Sequence, residues 1–502
     1  MRIVVVSSEA VPFSKTGGLG DVAAALPKGL AQAGHEVTLI LPYYPQQFAK
    51  LTDAPALTPV SLALRVPVGH KLVDGRVLKG QLPGSNVTVY LIDQPIYFDR
   101  KGVYVENEQD YRDNCERFVY FSRAAVEVVR HLNLKPDVIH ANDWQTGLVP
   151  ALVAAELRRQ PGLDRVASVF TVHNMAFQGR FWHWDMHLTG LDWKYFNWKQ
   201  MEFFGHLNLL KTGISFADMV TTVSPTYARE IQTPEYGCGL HGALSSRSSD
   251  LVGILNGVDT EIWNPTTDPY IAQQYSVETV ESGKAACKAA LQKRLGLPVR
   301  ADVPLFGSVS RMTGQKGFAL IGQCADVLLD QDVQLVFLGS GDPHYEGLLK
   351  QLAVTHPTKV STTIGYNEEL SHQVEAGCDV FLMPSEFEPC GLNQMYSLIY
   401  GTVPIVRAVG GLADSVVDAN DHNLAAGAAN GFSFHEFRGE VLFWNICRAR
   451  NLFADKPKWR KLQQTGMKRD WSWKHSAAEY VRIYERAIGK RRVGSECEGE
   501  EE

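Results

Sequence analysis

The chain has 502 residues, 45% hydrophobic and 21% charged, with a formal net charge of −6. That length exceeds what one core serves, so two or three domains are expected. The acidic balance argues against general nucleic-acid binding, which needs a basic surface. Eight cysteines form no CxxC pair and no metal-ligand spacing, which points to a reduced, cytoplasmic protein without a metal. No apolar run reaches the ~18 residues of a membrane span, and Met1-Arg2 runs straight into the first strand, so no signal or transit peptide is expected in this sequence.

In chain order, compact β-rich runs fall at Ile3–Ser7, Val37–Leu41, Val87–Ile92, Val138–His140, Ala167–Val172, Met219–Val223 and Val252–Leu255. Helical stretches separate them, which predicts parallel sheets with crossover helices. The pattern restarts at Leu305–Ser310, Val333–Leu338, Val360–Ile364, Val380–Met383 and Val403–Val406. Asn256 to Asp268, with Trp263-Asn264-Pro265, reads as the linker. The expected class is α/β, with two doubly wound Rossmann-like domains, 1–258 and 259–470. A C-terminal helix over 471–490 is expected to return to the first domain, and an acidic tail over 491–502 to be disordered.

Ligands of doubly wound sheets bind beyond the carboxyl ends of strands, and the notable polar residues fall there. Lys15-Thr16-Gly17-Gly18-Leu19-Gly20-Asp21 is a glycine-rich turn into a helix that begins near Asp21. Free backbone N–H groups, a positive helix end and a lysine suggest a site for a negatively charged ligand such as a phosphate, the alternative being a purely structural tight turn. Gly18 to Ala23 also fits the dinucleotide fingerprint G-x-G-x-x-A, the signature of an NAD enzyme. That fingerprint needs an acid after the second strand, where this chain has Pro42-Tyr43-Tyr44.

Asp143 and Trp144 follow a strand and suit sugar hydroxyls and a sugar-site wall, or else a helix cap with a packed indole. His173 and Asn174 end another strand, either as structural groups or as part of a site. Arg311 and Lys316 can converge on a diphosphate, or stand as ordinary surface cations. Pro384 to Asn393 combines Glu386 and Glu388 with Gly391, which is expected to open a helix. The N–H groups of Leu392 and Asn393 would then receive phosphate, with a carboxylate beside them for sugar hydroxyls or developing positive charge. Gly410-Gly411 marks a further tight turn.

Taken together and in order, Lys15 to Asp21, His140 to Leu148, Thr171 to Gly179, Asn256 to Pro265, Ser310 to Gly317, Phe387 to Leu392 and Gly410 to Asp414 resemble the bacterial glycogen synthases and plant starch synthases. The likeness runs from Val4 to about Tyr484. It implies two Rossmann-like domains facing a central cleft (the GT-B architecture) and retaining transfer of glucose from ADP-glucose to the non-reducing end of an α-1,4-glucan, without metal or organic cofactor. Lys15, Gly18, Arg311 and Lys316 would hold the donor diphosphate, and Tyr366 would stack on adenine. Glu388 would bind the glucosyl hydroxyls, with Asn256, Cys390, Gly391 and Leu392 around the sugar. His173 would stand at the reacting carbon, with Asp143 and Asn174 nearby, and Asp21 and Asn393 complete the substrate-binding set.

Many related retaining transferases have a second glutamate eight positions after the first; here that position is Tyr396. Without a second acid there is no evident nucleophile for double displacement, so attack from the leaving-group face is expected. The alternatives are a UDP-glucose donor or small-sugar acceptor, an NAD-dependent oxidoreductase, and a glucan-binding protein without activity. Trp182, Trp184, Trp193 and Trp198 could grip glucan, pack in a core or form an interface.

Overall fold

A computed structural model describes residues 1–107 and 109–498, with the side chains of 493–498 left out. The chain forms two compact units: residues 1–257 together with the C-terminal helix from Trp473, and Val258–Ser472.

The first unit is built on a ten-stranded sheet. Its parallel part runs in the spatial order Leu251–Gly253, Met219–Thr222, Ala167–Val172, Val138–Asn142, Arg2–Val6, Glu36–Pro42, Thr88–Asp93. Ile3, Val4, Val5 and Val6 are all buried, as a strand covered on both faces requires, so the run is apolar without alternation. Chain order reverses between Arg2–Val6 and Val138–Asn142, and the loops after those two strands carry Lys15 and Asp143.

Beyond Thr88–Asp93 the sheet continues antiparallel through Lys71–Gln81, which also pairs with Thr58–Pro59 and Leu64–Val68. A small sheet of Arg180–Trp182, Glu202–Phe203 and His206–Asn208 also lies outside the expected parallel series. These strands are short or half-exposed and rich in charge, so their apolar signal is weak.

The first crossover helix spans Gly18–Gln32 and buries Leu19, Val22, Ala23, Leu26 and Leu30 at helical spacing. It starts three residues before the expected Asp21, because extended Gly17 ends the loop there. Asp21 thus sits in the first turn, where a negative charge complements the helix dipole.

The C-terminal helix, Trp473–Glu498, packs Trp473, Ala477, Tyr480, Tyr484 and Ala487 into the same core as Val22, Leu26 and Leu30. Within the sheet, His140 hydrogen-bonds the Tyr484 hydroxyl through Nδ1 (2.9 Å) and Thr171 through Nε2 (2.6 Å). That buried imidazole is thereby satisfied on both nitrogens, and burial holds its pKa down at about 3. The helix continues to Glu498, and the rest of the acidic tail, 499–502, lies outside the described residues.

The second unit holds a six-stranded parallel sheet in the order Val360–Ile364, Gln334–Gly339, Leu305–Val309, Val380–Met383, Val403–Arg407, Phe432–Phe434. This is the 3-2-1-4-5-6 doubly wound arrangement, and its reversal lies between Leu305–Val309 and Val380–Met383. The loops leaving those two strands carry Arg311 and Lys316 on one side and Glu388 to Asn393 on the other.

Candidate active site

In the second unit, two loops meet at the switch point. Gly317 has φ +76°, and a Cβ there would stand 2.0 Å from the Pro384 carbonyl oxygen. Only glycine tolerates both the left-handed backbone and this approach. The Glu386 N–H donates to the Gln315 carbonyl (2.8 Å), and the Gln315 side chain reaches the Phe387 carbonyl (3.3 Å).

The result is a close ion pair: Lys316 Nζ lies 2.5 Å from Glu388 Oε2, with both side chains largely buried. Ser385 donates to the same oxygen at 3.1 Å. Oε1 accepts no bond among the described residues, so it is the oxygen available to a ligand. From behind, Gly410 (φ +43°) lies so close that a Cβ would meet the Glu388 carbonyl at 1.9 Å. The second glycine turn is therefore the support of the Glu388 loop.

Gly391 (φ +70°) does not open the following helix, as the sequence reading expected. Leu392 caps it and the helix is Asn393–Ile399, because Gly391 is left-handed while helical dihedrals begin later. Asn393 turns its side chain inward, donating to the Val309 carbonyl at 2.5 Å. Gln394 donates to the carbonyls of Cys390 and Gly391 and to Ser415, tying the turn to the 410–415 helix. Cys390 is buried, Arg311 exposed, and the Tyr366 ring 79% exposed beyond the 360–364 strand.

Tyr396 is a packing residue. Its ring stacks on Trp263 at 3.9 Å and 5°, and His372 stacks on Trp263 at 3.9 Å and 7°. His372 is buried and bonded through Nδ1 to Asp268 (2.8 Å), which also accepts from the Tyr400 hydroxyl (2.6 Å). Burial works to lower the imidazole pKa, but the bond to Asp268 and the charge of Glu368, 3.5 Å from Nε2, prevail and raise it to about 9. Tyr396 is thus one layer of a three-ring stack.

In the first unit, Lys15 and Asp21 pair at 2.8 Å beside the open turn at Gly17 and Gly18, where added Cβ atoms would meet nothing within 4 Å. Beneath them lies Glu9, 2% exposed, whose Oε2 accepts from the Thr16 N–H at 2.5 Å. Sequence reasoning did not single out Glu9, and a lone acid after a strand carries no distinguishing pattern. Burial pushes its carboxyl up to about 7 against the opposing Thr16 bonds, with Asp21 adding repulsion.

Asp143 has φ 57°, ψ 179°, a conformation nearly reserved for glycine. It is held there by backbone bonds: its own N–H donates to the Thr171 carbonyl (2.9 Å), and its Oδ1 accepts from the His173 N–H (2.7 Å). Burial raises its carboxyl to about 7, opposed by the His173 and Asn174 amides and reinforced by Glu9. Backbone strain held at a strand end beside buried titratable groups marks a functional site.

His173 hydrogen-bonds Asn142 Oδ1 through Nε2 (2.9 Å), and Asn142 Nδ2 donates to the Val6 carbonyl (3.2 Å). That orientation puts the proton on Nε2 and leaves Nδ1 as an acceptor. Desolvation drives the imidazole down to about 3, so it is neutral at physiological pH. Asn174 Oδ1 turns back to the Ala176 N–H at 2.9 Å. Trp144 is buried against Phe118 and Phe181 and under Gly179, so it is a packed indole. Asn256 is buried, with Oδ1 unpartnered among the described residues.

Of the expected residues, Lys15, Gly18, Asp21, Asp143, His173, Asn174 and Asn256 belong to the first unit. Arg311, Lys316, Tyr366, Glu388, Cys390, Gly391, Leu392 and Asn393 belong to the second. No group of three or more His, Cys, Asp or Glu among the described residues is placed to hold a metal. No helix among them is long and apolar enough to cross a membrane.

Residues 2–246 match a family model described as "Starch synthase catalytic domain", and residues 292–436 one described as "Glycosyl transferases group 1". The chain is 47% identical over 485 residues to a glycogen synthase of Anaeromyxobacter dehalogenans, covering 96% of this chain and 99% of that one. It is 44% identical over 510 residues to a glycogen synthase of Rhodopirellula baltica, covering 99% and 100%. Among solved structures it is similar to the catalytic domain of starch synthase IV from Arabidopsis thaliana bound to ADP and acarbose. The TM-score is 0.88 at 36% identity, with 97% of this chain and 99% of that one covered.

Proposed function

The chain belongs to the glycogen synthase and starch synthase family, a glucosyltransferase of GT-B architecture, and from that premise we propose that it moves glucose from ADP-glucose to the non-reducing end of an α-1,4-glucan with retention, in the cytoplasm. The observation that carries this reading is the Lys316–Glu388 pair at the switch point of the second unit.

Breaking the bond from glucose C1 to the diphosphate leaves an oxocarbenium-like sugar and added negative charge on the leaving group. Lys316 and Arg311 are the cations of the second unit offered to that charge, and Lys15 with the open Gly17-Gly18 turn is the offer of the first. Glu388 is fixed by Lys316 and Ser385 through one oxygen, and the other is left for sugar hydroxyls. A carboxylate so tightly paired is a poor nucleophile, which favours attack from the leaving-group face, with the departing phosphate taking the acceptor's proton. Tyr366, exposed beyond its strand, supplies a ring for adenine. Neutral His173, with Nδ1 free to accept, stands as the hydrogen-bond partner of the donor sugar, beside Asp143 and Asn174.

The test offers ADP-glucose and UDP-glucose separately with maltotriose and follows the first product by proton NMR. The expected result is an α-linked tetrasaccharide formed preferentially from ADP-glucose. A β-linked product or a preference for UDP-glucose would overturn the corresponding part of the proposal.

A further inference from the structure

The segment after the His173 loop exposes aromatic rings in a row. Trp182 is 62% exposed, Trp184 53% and Trp193 43%. Trp182 and Trp184 lie 6.4 Å apart at 64°, and Trp184 and Trp193 5.6 Å apart at 71°. Each edge-to-face contact covers at most one face of one of its two rings, in contrast to the coplanar stack around Trp263, where both faces of the central ring are covered. His183 fills the space beside Trp182 and Trp184, and Phe196 ends the row against Trp193.

These rings are not required to anchor the segment. Met186, Leu188 and Leu191 are its buried apolar residues, and Phe181 packs on Trp144 at 5.6 Å. The turns are set by polar bonds: Asp192 accepts from the Lys194 N–H (2.8 Å), and Asn197 donates to the Lys194 carbonyl (2.7 Å). The row is therefore an exposed apolar surface on a fixed frame, of a kind that marks a binding site.

We propose that Trp182, Trp184 and Trp193 form a platform on which a glucan acceptor strand lies, outside the reacting site. The occupant follows from the chemistry. The C–H faces of glucose rings carry partial positive charge and fit the negative faces of indoles. Asp192, Lys194 and His187, all exposed and next to the row in the chain, carry groups that bond to hydroxyls. The row is also continuous in the chain with the site, because His173 and the Arg180–Trp182 strand are the two ends of one loop. The proposal rests on the reading of the acceptor as a glucan.

The test compares wild type with Trp182→Ala/Trp184→Ala. Migration through native gels containing glycogen reads binding without activity, and transfer to glycogen and to maltotriose reads catalysis. The expected result is glycogen retardation weakened about tenfold and KM for glycogen raised by a similar factor, with transfer to maltotriose unchanged. Unchanged glycogen retardation overturns the platform. So does an equal loss on both acceptors, or a lower sedimentation coefficient in the variant without a change in glycogen binding, which makes the row a self-association face. If wild type transfers glucose to neither acceptor, the enzymatic reading fails, while the gel still decides the platform.

Discussion

Gly317 and Pro384 come from loops that leave adjacent parallel strands, and a Cβ on Gly317 would stand 2.0 Å from the Pro384 carbonyl oxygen. The contact sets where Lys316 can be. Closing the two loops this tightly brings its ammonium to 2.5 Å from Glu388.

Gly317→Ala should therefore separate the loops. The positive φ alone costs about 1–3 kcal/mol in a non-glycine residue, and the clash adds to it. The expected outcome is a lower melting temperature by calorimetry and a loss of transfer rate out of proportion to the loss of folded protein. A variant with wild-type rate and stability would show that the loop contact does not position Lys316.

Asn142 fixes the tautomer of His173. Asn142→Leu removes that partner and should cost about tenfold to a hundredfold in kcat, as a misplaced catalytic group does. Asn142→Asp places a carboxylate against the ring and should raise the imidazole pKa from its depressed value of about 3. Titration of the His173 ring protons by NMR measures this. A pKa still near 3 in Asn142→Asp would contradict the assigned bond.

Glu9 and Asp143 are both raised to about 7, chiefly by burial, and they repel each other. A carboxyl whose folded pKa lies above its unfolded value contributes stability that is complete below about pH 4 and is lost as pH rises through about 7. The groups facing Glu9 are Asp21, Lys15, Tyr44, Tyr104 and Asp143. Glu9→Gln keeps an oxygen for the Thr16 N–H and removes one charge. The pH–rate profile of wild type should bend near neutrality, and that bend should move or flatten in Glu9→Gln. Superimposable profiles would remove Glu9 from the site.

Much of this fold was legible because parallel strands buried on both faces are dominated by apolar residues, as Ala167–Val172 and Val380–Met383 show at their expected limits. Lys71–Gln81 escaped because its exposed face replaces alternate apolar residues with charge. Lys316 and Glu388 stood out as charges at strand ends, but their mutual pairing depends on how two loops fold together. Glu9 and Asn142 had no local pattern: each acts through a partner brought near by sheet order, Thr16 for one and His173 for the other.

His372 gives the second unit a pH signature of its own. Its pKa is raised to about 9, so its contribution is fully present below the unfolded value near 6.5 and is lost as pH rises through about 9. Asp268, Glu368, Tyr270 and Trp263 face it, and Tyr400 shares the Asp268 carboxylate with it. Urea unfolding of wild type should weaken steadily between pH 6.5 and 9, and His372→Gln, less stable throughout, should lose that slope. A slope retained in the variant would assign it to another group.

The most direct measurement is incorporation of radiolabel from ADP-[14C]glucose into glycogen by wild type and by Glu388→Ala at equal folded concentration. Wild type should incorporate label robustly, and the variant should lose at least about a hundredfold. Absence of incorporation by folded wild-type protein, or a variant as active as wild type, would contradict the proposed transfer at this site.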